Sequence, residues 1–304
     1  MTAVRRLTAI VLAAAVLAGC GSGSSGSKPA QPGKGKPPVV LGTKNFTEQY
    51  ILGQLYLQAL QARGYKVTLR KSIGPTEVTH KQLLARKVDL YPEYTGTIVG
   101  EVQKSRMLPA SAPDAYNQAK AFEEQHSVTM LDMTPFSDRN AVAVKPAFAA
   151  KFGVRGMADL ARAGRVRYGA PPENKNRFNG FVGMRRVYGL NNLIFVGLPI
   201  GEQYKDLDAG KIDAAAVFTT DGNLQTGNYV VLSDPQGVFG FQNAAPIVRT
   251  SVLSKEGPEF AATLNAVSRT LTTLAMQRLN AAVALDKQSP AAVARQYLKS
   301  NGLI

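Results

Sequence analysis

With 304 residues, 45% of them hydrophobic, and a single cysteine, the chain is long enough for one large body or two lobes with separate cores. One thiol excludes a disulfide framework and a sulfur metal centre. The 36 basic and 21 acidic residues give a net charge of +15, but the basic residues are scattered singly with no run of interleaved aromatics, which argues against nucleic-acid binding and for a basic surface facing an anionic envelope.

Residues 1–19 read as an export signal: Arg5 and Arg6 open it, Leu7 to Leu17 form an apolar run of eleven, and small residues precede Cys20. Eleven apolar residues are too few to span a bilayer. Leu17-Ala18-Gly19-Cys20 resembles the bacterial lipobox, which implies a diacylglyceryl group on the Cys20 sulfur and a mature chain beginning at that residue. Residues 20–38 are rich in Gly and Ser, then in proline (Pro29, Pro32, Pro37, Pro38). They predict a flexible tether with a reach of roughly 20 to 25 Å and a folded body that starts near Val39. No later stretch approaches eighteen consecutive apolar residues, so no transmembrane helix is predicted.

From there short apolar runs alternate with amphipathic stretches, the signature of an α/β architecture. Val39 to Gly42 reads as a buried strand, and Thr47 as the cap of a helix whose apolar residues Ile51, Leu52, Leu55, Ala59 and Leu60 recur at helical spacing until Gly64 stops it. Lys66 to Leu69 reads as strand, Thr76 opens a helix through Val78, Leu83 and Leu84, and Val88 to Tyr91 returns as strand. Pro113 to His126 reads as helix and Val128 to Leu131 as strand. A second series of the same kind begins at Asn140 to Val144. It continues through Val166 to Ala170, a helix near Gly180 to Tyr188, Leu193 to Val196, a helix near Glu202 to Ala209, and Asp213 to Phe218. After the strand Ala245 to Val248 the tail is nearly all helix, with Ser289-Pro290 as a cap followed by proline at the first helical position and Gly302 as a stop. Two series and a helical tail suggest two lobes, the tail returning to the first.

Enzyme signatures are scarce. His80 and His126 are far apart on separate helices, and there is no P-loop, nucleophile elbow or dinucleotide fingerprint. Lys44 and Thr47 flank a strand-to-helix junction where free backbone donors favour an anion. Asp89-Leu-Tyr-Pro-Glu-Tyr-Thr-Gly-Thr97 lies at the end of a strand, where ligands of open α/β sheets collect, and a Tyr94-Thr-Gly-Thr97 turn is hard to explain by packing.

Together with Gly42-Thr43-Lys44-Asn45-Phe46-Thr47-Glu48-Gln49-Tyr50-Ile51-Leu52-Gly53, Gly210-Lys-Ile-Asp-Ala214, Thr219-Thr-Asp-Gly222 and Gln242-Asn-Ala-Ala-Pro246, these motifs resemble the osmoprotectant-binding lipoproteins of ABC importers, which capture glycine betaine, choline or related quaternary amines. The resemblance implies a two-lobed periplasmic-binding-protein fold of type II with a ligand cleft between lobes. Lobe 1 is expected at residues 39–138 plus 242–304 and lobe 2 at 139–241. It also implies an ABC permease partner, a lipid-anchored position on the extracytoplasmic face of the membrane, and no cofactor, metal or catalytic residue. By motif, the family's carboxylate-holding lysine, threonine and arginine fall on Lys44, Thr97 and Arg177. Of the tyrosine cage that holds the cation, one member falls on Tyr94, while the others fall on Asn140, Phe218 and Gln242. A cation over a ring face gains roughly 0.5 to 2 kcal/mol, whereas an amide offers directional donors and acceptors. The alternative guest is therefore a polar or aromatic molecule other than a betaine, with Phe241 beside Gln242 as a possible replacement wall. More distant alternatives are a cell-surface hydrolase using Asp221 or Glu93, and a receptor that feeds a signalling partner.

Overall fold

The computed structural model of the chain describes residues 31–105 and 108–304; the signal, Cys20 and the tether up to residue 30 lie outside the described residues. The first series runs β1 (Val39–Gly42), α1 (Thr47–Ala62), β2 (Val67–Arg70), α2 (Thr76–Leu84), β3 (Leu90–Tyr94), the single turn α3 (Thr95–Thr97), α4 (Ala112–Gln125) and β4 (Val128–Met130). The second runs β5 (Asn140–Val144), α5 (Pro146–Phe152), β6 (Val166–Ala170), α6 (Phe181–Tyr188), β7 (Leu193–Gly197), α7 (Gln203–Asp208), β8 (Ala214–Phe218) and β9 (Val230–Val231). Then come β10 (Ala244–Arg249), α8 (Thr250–Glu256), α9 (Pro258–Thr270), α10 (Thr273–Ala284) and α11 (Pro290–Ser300).

Two five-stranded sheets result, ordered β2-β1-β3-β10-β4 and β7-β6-β8-β5-β9. In each, a parallel trio meets an antiparallel strand that follows a crossing of the backbone between the sheets, β10 in the first and β5 in the second, so the backbone crosses between sheets twice. The architecture is the two-lobed α/β fold of type II binding proteins. Both sheets use one device to fix the parallel trio. Asp89 takes the Val40 N–H at 2.7 Å, and Asp213 takes the Arg167 N–H at 2.8 Å. These two residues of the resemblance motifs are thus structural.

Apolar side chains cover both faces of each sheet, as near-continuous apolar strands require. In the first lobe α1 packs with the tail helices α9, α10 and α11 over one face. The Tyr56 hydroxyl and Ser268 Oγ, 2.9 Å apart, tie α1 to α9. No described helix is long and apolar enough to cross a membrane.

Four local expectations change. Thr47 is the first helical residue rather than the cap; Phe46 precedes it with no side-chain cap bond. Val78 and Leu84 are each 43% exposed, so the apolar period of α2 does not all face the core. The strand expected at Val88 to Tyr91 begins later and runs through Pro92. Proline removes a ladder donor and belongs at edges, but here Pro92 lies opposite Pro246 of β10, so two missing donors face one another. Their carbonyls accept from Gln49 Nε2 and the Leu131 N–H, each at 2.9 Å. Finally, residues 31–38 pack on the body instead of extending from it. The Gly33 N–H donates to the Arg63 carbonyl at 3.0 Å and Lys36 Nζ to the Lys255 carbonyl at 2.8 Å.

Candidate functional site

The carboxyl ends of β1, β3, β6 and β8 face a cavity between the sheets that holds about 710 Å³ between its wall atoms, mouth included. Lys44 follows β1, Tyr94 ends β3, Thr97 ends α3, Asn140 opens β5, Arg177 follows β6, and Phe218 ends β8. Gln242 sits in the second crossover, just before β10. All seven line this one cavity. Phe241 does not; it turns to a smaller cavity behind Gly96.

On the first lobe the wall is built around a buried ion pair. Lys44 Nζ donates to Glu93 Oε1 at 2.5 Å and lies 3.1 Å from Thr76 Oγ1, 4.4 Å above the centre of the Tyr94 ring. Burial pulls the Lys44 pKa down, against the opposing pull of Glu93. Glu93 has no exposed surface and also accepts from Thr76 Oγ1, the Tyr91 hydroxyl and the Tyr94 N–H at 2.8 to 3.0 Å. Beside it the Thr97 N–H and hydroxyl both donate to Gln242 Oε1 at 3.0 Å. Glycine is required between Thr95 and Thr97, because a methyl at Gly96 would come within 2.4 Å of the Phe241 carbonyl oxygen.

Lobe two supplies Asn140, whose Nδ2 donates to the Asn179 carbonyl at 2.9 Å, and Phe218, whose ring stacks on Phe46 of the first lobe with centroids 5.3 Å apart. Phe46 in turn stacks on Tyr94 at 6.2 Å. The Arg177 guanidinium reaches across the cleft to Glu77 in the first turn of α2. Nη2 donates to both carboxylate oxygens at 2.9 and 2.8 Å, and Nε to Oε1 at 3.1 Å.

Beside the aromatic stack lies a second cavity, of about 1310 Å³ with its open mouth included, that shares Phe46, Phe218 and Asp138 with the first. Three carboxyls meet there. Thr220 Oγ1 is 2.5 Å from Glu48 Oε2 and 2.6 Å from Asp138 Oδ1. A hydroxyl carries one proton, so it donates to one carboxylate and accepts from the other, which is protonated. Glu48 already receives the Tyr94 hydroxyl at 2.8 Å and Asn280 Nδ2 at 2.9 Å, which makes it the better home for the charge and leaves the proton on Asp138. Burial, then the Glu48 charge, pushes the Asp138 carboxyl far above the usual range. Asp221 is pushed up to about 6 by burial, against hydrogen bonds from the Phe218 N–H and the Tyr204 hydroxyl. Both it and Glu93, the two candidates for hydrolysis, are thus engaged in structural hydrogen bonds.

Phe46 is the wall residue that motif reasoning missed. It supplies a third ring where two were expected, and its signal is positional: an aromatic between the end of β1 and the start of α1, at the sheet edge where ligands collect. Glu77, Asp138 and Gln203 were missed as well, since nothing in their spacing points to a cleft.

A family model described as the substrate binding domain of ABC-type glycine betaine transport systems matches residues 37–300. The glycine-betaine-binding protein of Pseudomonas aeruginosa is 31% identical over 284 residues, which is 87% of this chain and 88% of the relative. An ergothioneine transport permease and binding protein of Helicobacter pylori is 28% identical over 88% of this chain and 48% of its own longer sequence. The solved structure of apo YehZ from Escherichia coli superposes with a TM-score of 0.64 at 28% identity, covering 88% of this chain and 99% of that one. The chain belongs to the family of substrate-binding domains of ABC-type glycine betaine transport systems.

Proposed function

We propose that the chain is the extracytoplasmic receptor of an ABC importer, held to the membrane by a lipid on Cys20, which captures a solute of the glycine betaine, choline or carnitine class between its lobes and delivers it to the permease. It performs no chemistry on its guest. The observation that carries this reading is convergence: side chains from both sheets and from the second crossover, more than 190 residues apart in sequence, meet around one cavity. Basic groups stand on both sides of it, and three rings, Phe46, Tyr94 and Phe218, stack in its wall, the kind of side chain that attracts a quaternary ammonium. A guest that touches both lobes favours the closed arrangement by its differential contacts.

Calorimetric titration of the purified protein with glycine betaine, choline and carnitine tests the reading; micromolar binding of one is expected, and no heat with any of them sinks it. A second reading is a polar or aromatic guest other than a simple betaine. It is favoured by the amides of Asn140 and Gln242 at two positions of the expected cage, and by similarity to the ergothioneine protein. Ergothioneine therefore belongs in the same titration series.

A further inference from the structure

The charges of the inner wall are already matched. Lys44 is paired with Glu93, and the Arg177 fork is filled on two of its three nitrogens by Glu77. The bonds to Glu77 use the Nε and Nη2 edge of the Arg177 guanidinium. Glu173 lines the same cavity, and Glu101 lies 3.9 Å from Arg177 Nε. An incoming carboxylate thus meets a site with no unmatched positive charge.

The pair is also a bond between lobes, because Glu77 belongs to α2 and Arg177 to the turn after β6. Glu77 and Arg177 are 100 residues apart in sequence. Burial pushes the Glu77 carboxyl up, and the guanidinium more than reverses this, holding it below the usual carboxylate range. Glu77 is therefore ionised, and with its side chain 40% exposed it is able to swing into water when displaced.

We propose that Glu77 is a specificity-determining residue: its carboxylate occupies the place at Arg177 that a guest carboxylate would take, so the cleft discriminates against zwitterions and favours cationic guests that leave the cross-lobe pair intact. The inference rests on the proposed ligand class. A betaine has to displace Glu77 to use the bidentate edge of the guanidinium, the geometry in which arginine holds carboxylates best. Choline needs no displacement and keeps the pair as part of the closed state.

The test is the isosteric variant Glu77→Gln, at a half-exposed position where folding is not at stake, titrated alongside the wild type with glycine betaine and with choline. Betaine should bind the variant about tenfold more tightly, equivalent to about 1.4 kcal/mol, while choline binds it equally well or more weakly. A merely structural role moves both ligands in the same direction, and that result, or an unchanged betaine affinity, overturns the proposal. If neither ligand binds either protein, the ligand reading fails and X-ray scattering of the ligand-free proteins decides the cross-lobe pairing. A larger radius of gyration for Glu77→Gln supports it, and superimposable curves overturn it.

Discussion

The two lobes share one plan, down to the aspartate that fixes each parallel trio, yet they furnish the cleft by opposite means. The first lobe presents a network wired within itself: Lys44, Glu93, Thr76, Tyr91 and Tyr94 satisfy one another with or without a partner across the gap. The second lobe presents groups whose partners lie opposite. Arg177 ends on Glu77 and Phe218 stacks on Phe46. Thr220 meets Glu48, and Gly222 packs so closely on α10 that a methyl there would come within 2.4 Å of the Ala281 Cα. The difference teaches that one wall is pre-formed and the other is completed only by closure.

The sharpest way to break this contrast is Lys44→Ala. It strands Glu93, fully buried, without its cation, and should destabilise the fold by about 3 to 5 kcal/mol in denaturant unfolding; the double variant Lys44→Met, Glu93→Gln should recover most of that. A loss below about 1 kcal/mol would mean that the first wall is not self-supporting. Arg177→Ala, by contrast, should weaken carboxylate ligands by about thirtyfold or more with little change in melting temperature, and unaltered affinity removes Arg177 from the site. Phe46→Ala and Phe218→Ala each remove one face from the aromatic stack and should cost a quaternary amine about tenfold in affinity, again by calorimetry.

The smallest effect concerns Asp221, a second-lobe carboxyl with no cation beside it. Its native pKa, raised to about 6, means that the folded state holds a proton the unfolded chain releases near pH 4. That contribution is complete below pH 4 and is lost as pH rises through about 6. Asp221→Asn should therefore gain on the wild type between pH 4 and pH 7, by about 2 to 4 °C in melting temperature for each kcal/mol recovered, and a pH-independent difference contradicts the assignment.

Much of this was legible in the chain. β1, β5 and β6 run over the residues expected, because apolar runs bounded by glycine or charge leave little choice of register. The seven expected residues, all of which line the cavity, stand at strand ends, in the turns that follow them or at crossovers, where motif and topology agree. Partnership was not legible. Neither the Pro92–Pro246 pairing that lets β3 continue nor the seizure of Arg177 by Glu77 leaves a local trace, since each joins segments 100 residues or more apart. The stack on Phe46 was hidden for the same reason: an aromatic next to a helix start reads as packing until the opposite lobe brings a second ring.

The ion pair at the back of the first wall has a further bearing on how such a receptor works in brine. Mobile ions weaken attractions that they can surround, over a screening length of about 8 Å at physiological strength and about 3 Å in molar salt. Glu93 is fully buried, Lys44 nearly so, and the two are only 2.5 Å apart, so concentrated electrolyte has little room to intervene. The shape and polarity of this wall should hold constant while the surroundings swing from dilute to saline.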